Sequence, residues 1–201
     1  MTAPAFTEDD RHFMRVALSL SKRGLGNVWP NPAVGCVLVS PGGVVVGRGH
    51  TRPGGRPHAE RVALDIAGSL AKGATAYVTL EPCSHFGKSP PCASGLIDAG
   101  VSRVVSALED PDARVSGRGH QMLRDAGISV DVGLLGDEAR RLNEGFLSRV
   151  ERHRPFVTLK LASTLDARSA TAHGESQWIT GTEARAQGHL LRANHDAILV
   201  G

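Results

Sequence analysis

The sequence contains few aromatic residues, few cysteines and no long apolar run. Aromatic side chains make up 4% of the 201 residues, so the core has to be built from Val, Leu, Ile and Ala. Three cysteines are an odd number and a poor basis for a disulfide framework. A stretch of about eighteen apolar residues, as a membrane-spanning helix needs, does not occur. Acidic residues stand near the N-terminus, where a signal peptide would be basic. We therefore expect a soluble, reduced, cytoplasmic protein.

The net charge is also small. A formal value of +3 does not by itself indicate a surface for nucleic acid. Hydrophobic residues make up 41% and charged residues 21%, which favours a folded globular protein over a disordered one. We expect a small-molecule partner, with no nucleic acid and no membrane, and a homo-oligomer stays possible.

Helical and strand patterns alternate over the first 150 residues. The first helix is predicted from Thr7, its N-cap, to about Arg23. Further helices are predicted over 58–71, from Cys92 to Gly100, over 117–127 and over 136–150. Strands are predicted over 33–39, 44–49, 74–80, 102–108 and 128–135. This alternation predicts an α/β protein whose sheet carries helices on its faces.

A charged run that ends in Pro155 indicates a domain boundary. We predict a first domain over 1–150 and a second unit over 151–201. The second unit has a predicted strand over 156–163, a helix over 182–195 and a strand over 197–201. Three elements are few for a domain, so we expect the second unit to be an incomplete one.

The stretch from His58 to Cys92 holds the types of residue that bind zinc. Catalytic zinc usually takes three protein ligands and keeps a fourth position for water. His58, Cys83 and Cys92 can supply one imidazole nitrogen and two thiolates, which leaves Glu60 unbound. Side chains two apart do not share a helix face, but in a first turn both can reach a site beyond the N-terminus. The order H-x-E, P-C and a second Cys is that of zinc deaminases, in which the Glu transfers protons.

The surroundings of the two cysteines favour thiolates. Cys83 follows the end of a strand, and Pro90–Pro91 predicts a helix start at Cys92. Helix N-termini stabilise thiolates and lower their pKa. Cys36, within "AVGCVLV", is assigned to the core.

Eight residues, "SHFGKSPP", separate Cys83 from Cys92, whereas the general deaminase pattern is C-x-x-C. The longer loop brings a histidine and a lysine to the rim of the predicted cavity, and we expect it to contact the substrate. Lys88 suits a phosphate or a polar ring edge. The alternative for Lys88 is an ordinary solvated loop lysine.

With "PNPAVGCVLV", "GRGHTRPGGRPHAE" and "YVTLEPCSHFGKSPPC" in view, the chain resembles the bifunctional riboflavin-biosynthesis proteins, a pyrimidine deaminase joined to a uracil reductase. "TLKLASTLDARSATAHGESQWITG" is similar to the start of the reductase part. The resemblance implies a cytidine-deaminase-like three-layer α/β/α domain, followed by an incomplete dihydrofolate-reductase-like α/β domain.

The implied reaction of the first domain is hydrolysis of 2,5-diamino-6-ribosylamino-4(3H)-pyrimidinone 5′-phosphate with release of ammonia. Zn²⁺ would be held by His58, Cys83 and Cys92, and Glu60 would take a proton from the activated water and deliver it to the ring nitrogen and the departing amine. The implied substrate contacts are Asn31, His50, His85 and Lys88. Alternatives stay open: turn chemistry between two prolines for Asn31, and surface imidazoles for the two histidines.

The implied second activity uses NADPH to reduce 5-amino-6-(5-phosphoribosylamino)uracil. The matching cofactor positions are Ala162 and Trp178, and the matching substrate positions are Lys160, Asp166, Ser176 and Arg192. The residues alone say less, because no G-x-G-x-x-G fingerprint is present and Trp178 would also suit a core. "LDAR" departs from the family's Leu-Asp-Gly through Ala167, and the family continues past this segment. We therefore expect deamination without complete reduction.

Two other classes of function are weighed. A tRNA or nucleoside base deaminase would share the zinc chemistry, but it would show strong salt dependence and aromatic stacking platforms. A structural zinc module would close all four positions with protein ligands. His85 is the obvious candidate for that fourth ligand.

Overall fold

The computed structural model describes residues 6–85, 87, 90–112 and 116–200. Lys88, one of the expected substrate contacts, lies outside the described residues. No helix within these ranges is long and apolar enough to cross a membrane.

A five-stranded mixed sheet forms the centre of the first 150 residues. Its strands are β1 (Gly35–Val39), β2 (Val45–His50), β3 (Thr75–Val78), β4 (Arg103–Ser106) and β5 (Ser129–Val132). Their order is β2-β1-β3-β4-β5. β1 runs antiparallel to both of its neighbours, whereas β3, β4 and β5 are parallel.

Helices cover both faces of this sheet. They are α1 (Glu8–Ser21), α2 (Ala59–Ala67), α3 (Cys92–Asp98), α4 (Arg118–Asp125), α5 (Gly136–Leu142) and α6 (Glu144–Arg152). A further helix, α7 (Thr182–Ala193), belongs to the second unit and has no buried residue. Cys36 and Leu38 of β1 face a core shared with α2, α3 and α4. Val37 and Val39 face the opposite core, shared with α1 and α5. The predicted α/β/α layering and the burial of Cys36 are confirmed.

The predicted single helix over 136–150 is wrong, because it is divided at Asn143. The buried Asn143 side chain accepts a hydrogen bond from the Ala33 amide and donates one to the Ala33 carbonyl, both at 2.9 Å. Asn143 has φ −104° and ψ 19°, outside helical geometry. A buried backbone pair next to β1 is thereby satisfied at the cost of helix continuity.

The predicted start of α1 is confirmed, whereas both ends of the helix predicted over 58–71 are corrected. Thr7 is the N-cap of α1, as expected, and forms a capping box with Asp10. His58, predicted inside a helix, is instead the N-cap of α2. The same helix ends at Ala67, and a short 3₁₀ turn covers Gly68–Ala71.

The two strands predicted in the second unit are wrong for the residues that the structure describes. Residues 156–163 and 197–200 form no β ladder, while the predicted helix forms α7. A strand needs a neighbouring strand for its backbone hydrogen bonds, and no described segment supplies one here. Leu159, Leu161 and Leu199 consequently remain exposed.

The second unit contains two turns of the same design. The Thr164 amide donates to the Arg168 carbonyl, and the Thr171 amide donates to the Glu175 carbonyl. In each turn the threonine hydroxyl accepts from the amide four residues later, at 2.9 and 3.1 Å. The fourth residue has positive φ in both: +64° at Ala167 and +85° at Gly174. Ala167 therefore occupies a conformation that favours glycine.

A buried ion network ties α1 to the sheet. Asp10 is 1% exposed, and its carboxylate accepts hydrogen bonds from the Tyr77 hydroxyl at 2.8 Å and from Arg103 at 2.7 Å. Arg103 also pairs with Asp131 at 2.8 Å. Burial alone would raise the pKa of Asp10, but the hydrogen bonds, led by that from Arg103, outweigh it and lower this pKa to about 2.

Replacing Asp10 with Asn should destabilise the protein by about 2 kcal/mol at neutral pH, because the lowered pKa of the carboxyl is a contribution to stability. That contribution is fully present above the unfolded-state pKa of about 3.9 and is lost as the pH falls through the folded-state value. The gap in unfolding free energy between wild type and D10N should therefore shrink below about pH 4 and close only as the pH approaches 2. Asp9→Asn, in the same helical turn but exposed, is the control. A gap between wild type and D10N that stays constant with pH would contradict the assignment.

Ala167→Gly should stabilise its turn by about 1 kcal/mol, because glycine adopts positive φ without the clash of a Cβ. The reciprocal substitution, Gly174→Ala, should destabilise the matching turn by a similar amount. Hydrogen exchange at the Arg168 and Glu175 amides measures both effects. If A167G exchanges as wild type does, Ala167 is unstrained.

Candidate metal centre and active site

The first candidate ligand lies at the start of α2. His58 is the N-cap residue, with extended backbone, and its carbonyl accepts from the Val62 amide at 3.1 Å. α2 packs closely on the sheet: a Cβ on Gly49 would overlap the Ala59 carbonyl oxygen. This close packing fixes where the helix begins and therefore where the His58 side chain lies.

The two cysteines approach His58 from a loop and from a second helix start. Cys83 follows β3 by five residues, and Cys92 is the first residue of α3, with Pro91 as N-cap. The Ala93 amide donates to the Cys83 carbonyl at 3.1 Å, and the Cys92 amide approaches Cys83 Sγ at 3.3 Å. The two sulfurs and the imidazole are thus held together by backbone contacts.

The three donor atoms have the spacing of a zinc site. His58 Nδ1 lies 3.6 Å from Cys83 Sγ and 3.4 Å from Cys92 Sγ. Tetrahedral zinc with ordinary Zn–S and Zn–N bonds requires an N···S separation of about 3.5 Å. Within the described residues, His85 is not part of this group of ligands. The donor set therefore fits a zinc ion with three protein ligands.

Glu60 lies beside the ligands without being one of them. Its side chain is 3% exposed, in the first turn of α2, and the Cys92 thiol hydrogen-bonds to it. Burial, together with the charge of the nearby Cys83, raises the pKa of Glu60 to about 7 against the opposing effect of His58. A carboxyl in this position can accept and return protons near neutral pH.

The two thiols differ in their proton affinity. Hydrogen bonds from Cys92 and His58 outweigh burial and lower the pKa of Cys83 to about 4. Cys83 in turn raises the pKa of Cys92, because Cys83 holds the negative charge beside it, and burial acts in the same direction. Cys83 therefore carries the negative charge of the pair, and the thiolate is the form of cysteine that binds a metal.

A buried carboxylate that the sequence analysis missed organises the neighbouring loop. Glu81 accepts hydrogen bonds from the amides of Asp110, Gly117, Gly119 and His120, at 2.8–3.2 Å. These contacts close the loop before α4 onto the segment that carries Cys83. The available signal was an acidic residue inside an apolar strand end, opposite the glycine-rich "SGRG".

Glu81, Glu109 and His120 offer a second set of ligand atoms within 4.8 Å of one another. Four amide donors already occupy the lone pairs of Glu81, so we interpret the group as a loop clamp. Asp110 is buried beside it; burial raises the pKa of its carboxyl to about 6, and the amide of Asp112 opposes this rise.

Three of the four expected deaminase contacts, Asn31, His50 and His85, lie within the described residues. The Asn31 amide donates to the Val28 carbonyl at 2.9 Å, as in a turn, and the Asn31 side chain covers Gly55. His50 ends β2; burial lowers its pKa, and Arg52 and Arg23 lower it further. His85 is half-buried, with Nδ1 unpartnered within the described ranges.

Five of the six reductase positions line one cavity of about 460 Å³ in the second unit: Lys160, Ala162, Ser176, Trp178 and Arg192. Trp178 is 69% exposed and stacks under the Arg185 guanidinium at 4.5 Å, so the core interpretation of Trp178 is wrong. Asp166 is not among the lining residues and instead accepts from the Thr164 hydroxyl at 2.6 Å.

Comparison with known proteins agrees with this geometry. The family model described as the cytidine and deoxycytidylate deaminase zinc-binding region matches residues 7–108, and the RibD C-terminal domain matches 155–201. The riboflavin biosynthesis protein RibD of Haemophilus influenzae is 54% identical over 194 residues, covering 96% of this chain and 52% of the relative. The chain spans about half the length of the curated relatives it matches.

Solved structures show the same relationship. Acinetobacter baumannii RibD, form 1, has a TM-score of 0.84 and 49% identity, over 93% of this chain and 52% of that one. A Thermotoga maritima diaminohydroxyphosphoribosylaminopyrimidine deaminase/5-amino-6-(5-phosphoribosylamino)uracil reductase has a TM-score of 0.86 and 44% identity, over 92% and 53%. These matches confirm the resemblance to the riboflavin-biosynthesis proteins, and the chain belongs to the family of cytidine and deoxycytidylate deaminases defined by their zinc-binding region.

Proposed function

We propose that this chain hydrolytically deaminates 2,5-diamino-6-ribosylamino-4(3H)-pyrimidinone 5′-phosphate and releases ammonia. The observation that carries the proposal is the three-ligand zinc cluster with the buried, unligated Glu60 beside it. The name of the Thermotoga maritima relative supplies the substrate class, a diaminopyrimidine ribotide. A cluster with three protein ligands favours a catalytic site over a structural module, which would use four.

His58, Cys83 and Cys92 would hold the metal, which when bound supplies the Lewis acidity that makes water nucleophilic at neutral pH. Glu60 takes a proton from the attacking water and gives it to the ring nitrogen. It then takes the remaining proton from the hydroxyl newly formed on the ring carbon and delivers it to the leaving amine. The C–N bond breaks, a C–O bond replaces it, and ammonia departs. The first turn of α2 holds the Glu60 carboxylate beside the ligand cluster.

Asn31, His50 and His85 are proposed to contact the ribotide, together with Lys88. Their support is position: the Asn31 side chain covers the loop that leads into His58, and His50 ends the strand before that loop. Turn formation by Asn31 is compatible with this role, because the turn uses its backbone amide and leaves the side chain for the substrate.

Residues 151–201 are proposed to be part of a second domain, an NADPH-dependent reductase, with 1–150 as the deaminase domain. Support comes from the match of 155–201 to the RibD C-terminal domain and from the shared cavity. Ala162 and Trp178 would contact the cofactor, and Lys160, Asp166, Ser176 and Arg192 the substrate. We expect that residues 151–201 alone do not complete the reduction of the uracil ribotide.

Glu60→Gln should lower the rate of deamination by about 10²–10⁴-fold while zinc stays bound, because the proton carrier is lost and the ligands remain. Ammonia release from the ribotide, measured beside zinc content, provides the test. Cytidine and a single-stranded oligonucleotide serve as control substrates. Wild-type activity on those two, with none on the ribotide, would indicate a nucleoside or nucleic-acid deaminase instead. An E60Q rate equal to that of wild type would reject the mechanism.

Cys92→Ser should reduce bound zinc well below one equivalent and lower the thermal stability of the first domain, because a hydroxyl is a poor zinc ligand and metal binding stabilises the fold. The matched control is Cys36→Ala, which removes the buried thiol of β1 and should leave zinc content unchanged. Metal analysis and thermal denaturation, each with and without a chelator, separate the two variants. Full zinc occupancy in C92S would remove Cys92 from the ligand set.

A further inference from the structure

The loop between α1 and β1 contacts the C-terminal end of α7. A Cβ on Gly26 would overlap the Ala193 carbonyl oxygen and would lie 3.2 Å from the carbonyl carbon of Asn194. Gly26 also has φ +72°, a conformation that L side chains rarely adopt. Backbone meets backbone at this point, and both the contact and the conformation require glycine.

The contacted end of α7 is itself held in place. His195 lies 2.7 Å from the Leu191 carbonyl oxygen through one ring nitrogen and 2.8 Å from the Thr158 hydroxyl through the other. These contacts join the end of α7 to the segment that follows Pro155. Gly26 therefore packs against an anchored part of the second unit.

The same loop reaches the approach to the metal centre. The Gly54 amide donates to the Asn27 carbonyl at 2.8 Å, and the Asn31 side chain leaves no space for a Cβ on Gly55. Both glycines lie within four residues of His58. A shift of the loop would thus move the Asn31 side chain and its contacts with Gly54 and Gly55, whereas His58 is held separately by the packing of α2 on the sheet.

On its other side the loop is held by the first domain. Arg149 of α6 donates to the Pro30 carbonyl at 2.8 Å, and the Arg149 guanidinium lies over the Phe146 ring at 5.4 Å. Besides its contact with Gly54, the loop therefore meets α6 in the first unit and α7 in the second. Removing the contact with α7 would leave the loop supported by the first domain alone.

We propose that the contact between Gly26 and the end of α7 is an interface within the chain. Through it, the second unit positions the loop between α1 and β1, called here the Asn31 loop, for substrate binding by the deaminase. The effect on substrate rests on the proposed deamination of the ribotide, whereas the contact itself does not. Gly26 is a positioning residue in this scheme, since it acts through Asn31 and touches neither the metal ligands nor the substrate.

Gly26→Ala in the full chain is the test. The added methyl group should displace α7, raise KM for the ribotide several-fold and leave kcat nearly unchanged, because the zinc ligands and Glu60 stay in place. Hydrogen exchange should become faster in both residues 25–31 and residues 182–194. A loss of general stability would not produce this division between KM and kcat, nor confine the exchange to these two segments.

Gly127→Ala is the matched control. Gly127 also has positive φ, at +82°, but a Cβ there would meet nothing within 4 Å, so this variant carries the backbone strain without the collision. It should behave as wild type in KM and in exchange at both segments. Identical behaviour of G26A and G127A would overturn the proposal.

Thr158→Val tests the interface if G26A does not fold. It releases the end of α7 from its hydroxyl partner without adding atoms beside the loop, and it should raise KM and the exchange of 25–31 in the same direction. Unchanged values in a folded T158V with G26A unfolded would count against the interface. If wild type itself releases no ammonia, the proposed reaction fails, while the exchange comparison of G26A with G127A still decides the contact.

Discussion

The close packing of α2 on the sheet is the constraint on which the metal centre depends. Gly47 and Gly49 of β2 face Ala63 and Ala59, and a Cβ at either glycine would overlap a helix carbonyl oxygen. Small residues on β2 and α2 let the two backbones approach each other closely. Bulky side chains would bury a larger apolar area but would hold the backbones apart. Because the helix cannot slide outward without opening this seam, its first turn, and with it the ligand His58, is fixed relative to the sheet.

Backbone amides help to balance the negative charge at and beside the site. The Cys92 amide approaches the Cys83 sulfur, and Glu81 accepts from four amides around the start of α4. Fixed amides offset the cost of burying such groups without the entropy of ordering long cationic side chains. The metal then has to neutralise only its own ligands. Glu60 has fewer such donors, which is why burial dominates its pKa and leaves it able to exchange protons.

The sequence could predict those features that depend on local rules. Thr7 as N-cap, Cys36 in the core and the gathering of three ligands around Glu60 follow from capping, periodicity and motif order. The break at Asn143 could not be predicted, because its cause is a pair of hydrogen bonds to Ala33, 110 residues away. The hydrogen bonds that Glu81 accepts could not be predicted either, because they come from amides 29 to 39 residues away. The apolar pattern of 156–163 predicted a strand that is not formed, because a ladder depends on a partner strand that a local pattern cannot show.

The distribution of apolar side chains separates the chemistry of the chain from its substrate contacts. The buried core belongs to residues before 150, and α7 has no buried residue, so burial of apolar surface stabilises the zinc centre without help from the second unit. The Asn31 loop differs, since its backbone meets both α6 and α7. A neighbouring element can therefore change the position of this loop while α2, packed on the sheet, keeps the first ligand in place. Joining a second unit at this point therefore leaves the metal chemistry in the first domain and places control of the substrate loop where the two units meet.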